Sequence, residues 1–84
     1  MKQVLMYTGD YCPHCEAAKA LLESKKVKVK EVDVWKDQEK RAEMQKRTGG
    51  AKTIPQIFIG DYYVGGNTEL QAANKTGKLD KLLA

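Results

Sequence analysis

At 84 residues the chain can bury one modest hydrophobic core and is too short for two, so a single domain over residues 1–84 is expected. Fifteen Lys and Arg against eleven Asp and Glu leave a net charge of +4, spread thinly along the chain rather than gathered in a patch. With no recognition helix and no pair of stacking aromatics, nucleic acid is excluded as a partner, and a solvated surface or a small anionic substrate suits the charge better.

No apolar run is long enough to span a bilayer, and the N-terminus lacks the apolar stretch of a signal peptide. No membrane partner is therefore expected, and the location expected is cytoplasmic, where paired cysteines are more often catalytic than structural.

The chain begins with Val4-Leu5-Met6-Tyr7-Thr8, an apolar run without clean alternation, as expected of a strand buried on both faces. Gly9-Asp10-Tyr11 turns it into Cys12-Pro13-His14-Cys15, which holds the only two cysteines. A proline in the first turn of a helix loses nothing by its missing N–H, so Cys12 falls at the helix N-terminus. Cys15, three residues on, shares its face at a spacing that suits a disulfide. The free N–H groups and the helix dipole there favour a thiolate over a thiol. A zinc site would need four ligands, and the chain offers these two cysteines and its single histidine, His14. A purely structural disulfide is weak as well, because so short a loop removes little entropy from the unfolded chain. A redox-active pair is the favoured reading, with no metal.

Residues 13 to about 25 are helical in pattern, with Ala17, Ala18, Leu21 and Leu22 as one apolar stripe and Lys19, Glu23 and Lys26 facing water. Residues 27–34 read as a strand. Val27 and Val29 lie on one parity and Val32 and Val34 on the other, which implies either a bulge at Lys30-Glu31 or burial on both sides at the strand's end. Strand, helix and strand over some thirty residues form a βαβ unit with parallel strands. Asp37 caps a second helix running to about residue 47, ended by Thr48-Gly49-Gly50 and touching the core chiefly through Ala42 and Met44. Ile57, Phe58 and Ile59 form a third strand, Gly60-Asp61 a tight turn, and Tyr62-Tyr63-Val64 an antiparallel return. After Gly65-Gly66, Thr68 opens a third helix with Gln71 completing a capping box, and residues 79–83 form a short last helix.

Two further stretches bear on the pair. Thr53-Ile54-Pro55 stands at the start of the third strand, where a proline without an N–H belongs; the residues alone leave its peptide bond cis or trans. Gly65-Gly66-Asn67-Thr68 feeds a helix N-terminus able to take a single carboxylate, although on these residues alone an ordinary capped turn is the preferred reading. It matches neither a P-loop nor a dinucleotide fingerprint.

Y-T-x-x-x-C-P-x-C, then T-I-P-Q-I-F-I-G, then V-G-G, in that order over essentially the whole chain, resembles the dithiol, C-P-x-C type of the glutaredoxin family. The resemblance implies an α/β, thioredoxin-like fold with a four-stranded mixed sheet flanked by helices. It also implies reduction of disulfides and of protein–glutathione mixed disulfides, with glutathione as co-substrate and no tightly bound cofactor. Cys12 would be the nucleophile and Cys15 the resolving thiol, with Pro13 and His14 completing the motif. The positions implied for glutathione are Tyr11, Arg41, Thr53, Ile54, Pro55, Gly66, Asn67, Thr68 and Glu69. Pro55 would be cis, Ile54 would pair with the cysteinyl backbone, and the turn at Gly66-Asn67-Thr68 would receive the γ-glutamyl carboxylate. Many members carry lysine at Gly9 and tyrosine at His14, which hold the glycine end, so that Arg41 is left to carry more of that contact.

The partners so implied are glutathione and disulfide-containing or glutathionylated proteins, met by a monomer. Two rivals are a donor reduced by thioredoxin reductase and a carrier of a glutathione-ligated iron–sulfur cluster. The stiff Pro13 disfavours the carrier.

Overall fold

The run Val4–Thr8 (β1) becomes one of the two inner strands of a four-stranded sheet because it has apolar side chains for both faces. The structure, a computed structural model describing residues 2–84, orders the sheet β2-β1-β3-β4. β1 pairs in parallel with Val29–Asp33 (β2), Val4 opposite Val29 and Thr8 opposite Asp33. It pairs antiparallel with Gln56–Ile59 (β3), Tyr7 opposite Gln56, and β3 pairs antiparallel with Tyr62–Gly65 (β4). The expected four-stranded mixed sheet of the α/β class is therefore present.

Alternation along β1 divides the core in two. Val4 and Met6 meet Ala18 and Leu22 of Pro13–Ser24 (α1), Leu70 of Asn67–Lys75 (α3), and Leu79 and Leu83 of Lys78–Leu83 (α4). Tyr7, on the other face, meets Val34, Phe58 and Met44 of Gln38–Thr48 (α2). The parity change along β2 has the second of its two explanations. Val27 and Val29 pack on the first cluster, Val32 and Val34 on the second, and the register with β1 runs unbroken. The bulge lies instead in β4, where the register with β3 shifts between Ile57 and Phe58. Gly65 there takes a φ of 113°, in the region that only glycine enters freely.

Three local expectations need correction. Ala17 and Ala42 are exposed; the buried stripe of α1 is Cys15, Ala18 and Leu22, and α2 is anchored by Met44. The box of Thr68 and Gln71 does not form, because the helix starts two residues earlier than the threonine signal suggests. Gly66 is its N-cap and donates its N–H to Glu69 Oε1 at 2.7 Å. Asp37 caps α2 as expected, accepting from the N–H groups of Glu39 and Lys40, and Gly49 ends it in the left-handed conformation.

The pairings fix where the connections meet. Thr8 ends β1 beside the start of β3, Gly65 sits opposite Ile57, and Asp33 ends β2 beside Thr8. The loops after β1, β2 and β4 and the loop before β3 therefore converge on one edge of the sheet.

Candidate active site

Cys12 is the N-cap of α1 in an extended conformation, and Pro13 opens the helix. Its Sγ accepts from the Cys15 N–H at 3.2 Å, so one of the free backbone donors of the helix's first turn points at sulfur, and the Glu16 N–H bonds its carbonyl. Cys12 and Cys15 are joined as a disulfide with Cα atoms 5.2 Å apart. The two sulfurs differ in access: Cys15 is 2 % exposed beneath the helix, whereas Cys12 is only half-buried. A thiol approached from solution meets Cys12 first. Tyr11, just before it, has a φ of 56° and a wholly exposed side chain. That is an uncommon backbone region for a bulky residue, held where the chain turns from strand to helix.

The second wall is Thr53-Ile54-Pro55, whose Ile54–Pro55 bond is cis, in agreement with the expectation. Its geometry is held from below. Buried Gln56 donates through Nε2 to the Thr53 carbonyl at 2.9 Å and to Thr53 Oγ1 at 3.2 Å. The Tyr63 hydroxyl donates in turn to Gln56 Oε1. Partial burial raises the Tyr63 pKa, and the nearby Glu69 carboxylate adds to this, so the phenol stays a donor.

Gly66 lies against this wall. A Cβ there would come within 3.3 Å of the Pro55 carbonyl oxygen, an approach that glycine alone makes without displacement. A depression of about 190 Å³ opens between them, lined by His14, Thr53, Ile54, Pro55, Gly66, Asn67, Thr68 and Glu69. The first N–H groups of α3 have no acceptor within the helix and suit a carboxylate. Glu69 folds back over the turn, close to where a Cβ on Gly65 would lie, and places its own charge at the rim.

Tyr11 and Arg41 stand outside that depression. Arg41 lies on α2 with its guanidinium 5.1 Å from the centre of the Trp35 ring, and among the described residues its buried Nη1 has no hydrogen-bond partner. Trp35 follows β2 and is fixed by a turn in which Asp33 Oδ1 accepts the N–H groups of Trp35 and Lys36, both at 2.9 Å. Its ring lies over Gly9, where a Cβ would collide with Cδ1 and Nε1 of the indole. Sequence reasoning missed Trp35, Gln56 and Tyr63. The signals available were a lone tryptophan directly after a strand and a polar residue within the apolar run Pro55-Gln56-Ile57-Phe58.

The family model described as Glutaredoxin matches residues 4–64. The chain is 46 % identical over 83 residues to glutaredoxin 3 of Escherichia coli K12, covering 99 % of each. The solution structure of a glutaredoxin from Brucella melitensis is 49 % identical, with a TM-score of 0.85 over 99 % of this chain and 89 % of that one. The crystal structure of a buckwheat glutaredoxin–glutathione complex superposes with a TM-score of 0.87 at 22 % identity, covering 98 % of this chain and 76 % of that one, and supports the thioredoxin-like fold.

Proposed function

The chain belongs to the glutaredoxin family of thiol–disulfide oxidoreductases, and on that premise we propose that it takes its electrons from glutathione and reduces protein–glutathione mixed disulfides through Cys12 alone. The observation that carries this reading is the unequal access of the two sulfurs, one at a helix N-terminus facing solvent and the other buried beneath it.

In the reduced enzyme the Cys15 N–H and the helix dipole favour a Cys12 thiolate over the thiol. That thiolate attacks the glutathionyl sulfur of a mixed disulfide; the Cys12–glutathione bond forms, and the substrate protein leaves as its thiolate. The thiolate of a second glutathione then attacks the same glutathionyl sulfur, giving glutathione disulfide and restoring Cys12. Protein disulfides take the other branch, in which Cys15 displaces the bound protein thiol and leaves Cys12–Cys15 oxidised, as in the structure.

The surroundings offer matching contacts for the tripeptide. The backbone at Ile54, beside cis Pro55, suits pairing with the cysteinyl unit, and Thr53 borders the same wall. The start of α3 at Gly66, Asn67 and Thr68 suits the γ-glutamyl carboxylate, and Glu69 the adjacent ammonium. Arg41 supplies a cation for the glycine carboxylate, and exposed Tyr11 borders the incoming chain. Among the described residues no helix is long and apolar enough to cross a membrane, and we place the reaction in the cytoplasm, carried out by a monomer without a resident cofactor.

Trapping tests the covalent step. Cys15→Ser incubated with glutathione disulfide should gain one glutathionyl group, located on Cys12 by peptide mass spectrometry. Absence of the adduct on Cys12 would refute the reading.

A further inference from the structure

In the Gly9–Trp35–Arg41 stack only Arg41 has so far been given a role. Trp35 is the only tryptophan in the chain and is 53 % exposed, yet its position is closely set. Asp33 fixes the backbone turn that carries it, Gly9 leaves room for one side of the ring, and Arg41 stands over the ring at 5.1 Å. The contact with Gly9 admits no side chain, because any Cβ would occupy the place of the indole. The Arg41 side chain forms no ion pair or hydrogen bond among the described residues, and its Nη1 is buried without a partner. A guanidinium held in this way has lost part of its hydration and has not regained it from the protein. The stack stands at the edge of the sheet where Cys12 lies, since Gly9 is three residues before Cys12 and Val34 donates to the Thr8 carbonyl at 2.9 Å.

We propose that Trp35 is a positioning residue: seated on Gly9, its indole holds the Arg41 guanidinium as a preset cation for the carboxylate at the glycine end of glutathione. This rests on the glutathione reading above and adds to it the means by which that end is recognised. A long arginine side chain loses substantial rotamer freedom when it binds, and a ring that has already ordered it removes part of that cost from the binding step. A cation over tryptophan is stabilised more than over any other ring, and the planar donor fork of a guanidinium matches a carboxylate. The role is one of specificity: it discriminates between substrates with and without the terminal charge.

The test is the ratio of kcat/KM for glutathione to that for its glycyl monoethyl ester, which lacks that charge. It is measured on wild type, Trp35→Ala, Trp35→Phe and Gly9→Ala, each checked for native far-UV circular dichroism. The wild type should favour glutathione about fivefold, as expected for one preset cation, and Trp35→Ala should bring the ratio close to one, through KM rather than kcat. Trp35→Phe should keep most of the preference, and Gly9→Ala, which displaces the indole without removing it, should lose it. Glutathione should also perturb the fluorescence of the lone tryptophan in the wild type. A wild-type ratio near one, or an unchanged ratio in Trp35→Ala, overturns the assignment while leaving the glutathione reading intact. A wild type that turns over neither thiol overturns the glutathione reading itself.

Discussion

At the scale of single residues, the chemistry depends on what surrounds Cys12. The Cys15 N–H reaches its sulfur at 3.2 Å, and His14, two residues on, lies exposed beside the depression. An imidazole N–H beside a sulfur is a hydrogen-bond donor and favours the thiolate. His14→Tyr should therefore raise the Cys12 pKa and make the oxidised form a weaker oxidant. Thiolate absorbance at 240 nm followed through a pH titration checks this, and an unmoved midpoint would contradict it. Gly65 is a second decisive residue. Its φ of 113° and the closeness of Glu69, 2.9 Å from where a Cβ would lie, leave no room for a side chain. Gly65→Ala should lower stability by roughly 1–3 kcal/mol in urea unfolding. It should also weaken glutathione binding, because the turn that feeds α3 must shift.

At the scale of elements, each helix is set by a few groups at its ends. α2 shows this most plainly, since Met44 is its only buried residue and its first turn depends on Asp37 accepting two backbone N–H groups. Asp37→Ala should cost about 1 kcal/mol, read as a lower urea midpoint with an unchanged slope. Much at this scale was legible in the sequence, because the signals were local: a cysteine and proline opening α1, an aspartate and glycines bounding α2, a Gly-Asp turn between β3 and β4. The start of α3 was not. Thr68 and Gln71 carry a stronger capping signature than Gly66, but the bulge at Gly65 and the approach to Pro55 decide where the chain can turn. Trp35 on Gly9 was hidden for a related reason. It joins residues 26 positions apart, across neighbouring strand ends, and nothing in either local sequence announces it.

At the scale of the whole molecule, β1 carries both halves of the core, and a polar cluster ties it to α2. The Tyr7 hydroxyl donates to Glu43 Oε2 at 2.6 Å and accepts from Arg47 Nη1 at 3.0 Å. The bond from Tyr7 holds the Glu43 pKa below its ordinary value, whereas burial, then the bond to Glu43, raises that of Tyr7. A lowered carboxyl contributes stability that is present above the ordinary carboxylate range and is lost as pH falls through its folded value. A raised phenol contributes stability that is complete below about pH 10 and is lost as pH rises through its folded value. Stability should therefore be flat through neutrality and fall at both ends, with Tyr63 adding to the alkaline limb. The acid contribution of Glu43 is less than about 1 kcal/mol, since its side chain is 41 % exposed. Urea midpoints at pH 3, 7 and 11 read both limbs, and Tyr7→Phe should flatten them; limbs as steep in the variant as in the wild type would contradict the assignment.

The central proposal is that glutathione drives turnover through Cys12 without need of its buried partner. The most direct measurement is steady-state reduction of a small glutathione mixed disulfide, coupled to glutathione reductase, on wild type, Cys15→Ser and Cys12→Ser. Turnover should persist in Cys15→Ser and vanish in Cys12→Ser. No turnover in the wild type, or its loss in Cys15→Ser, would contradict the account.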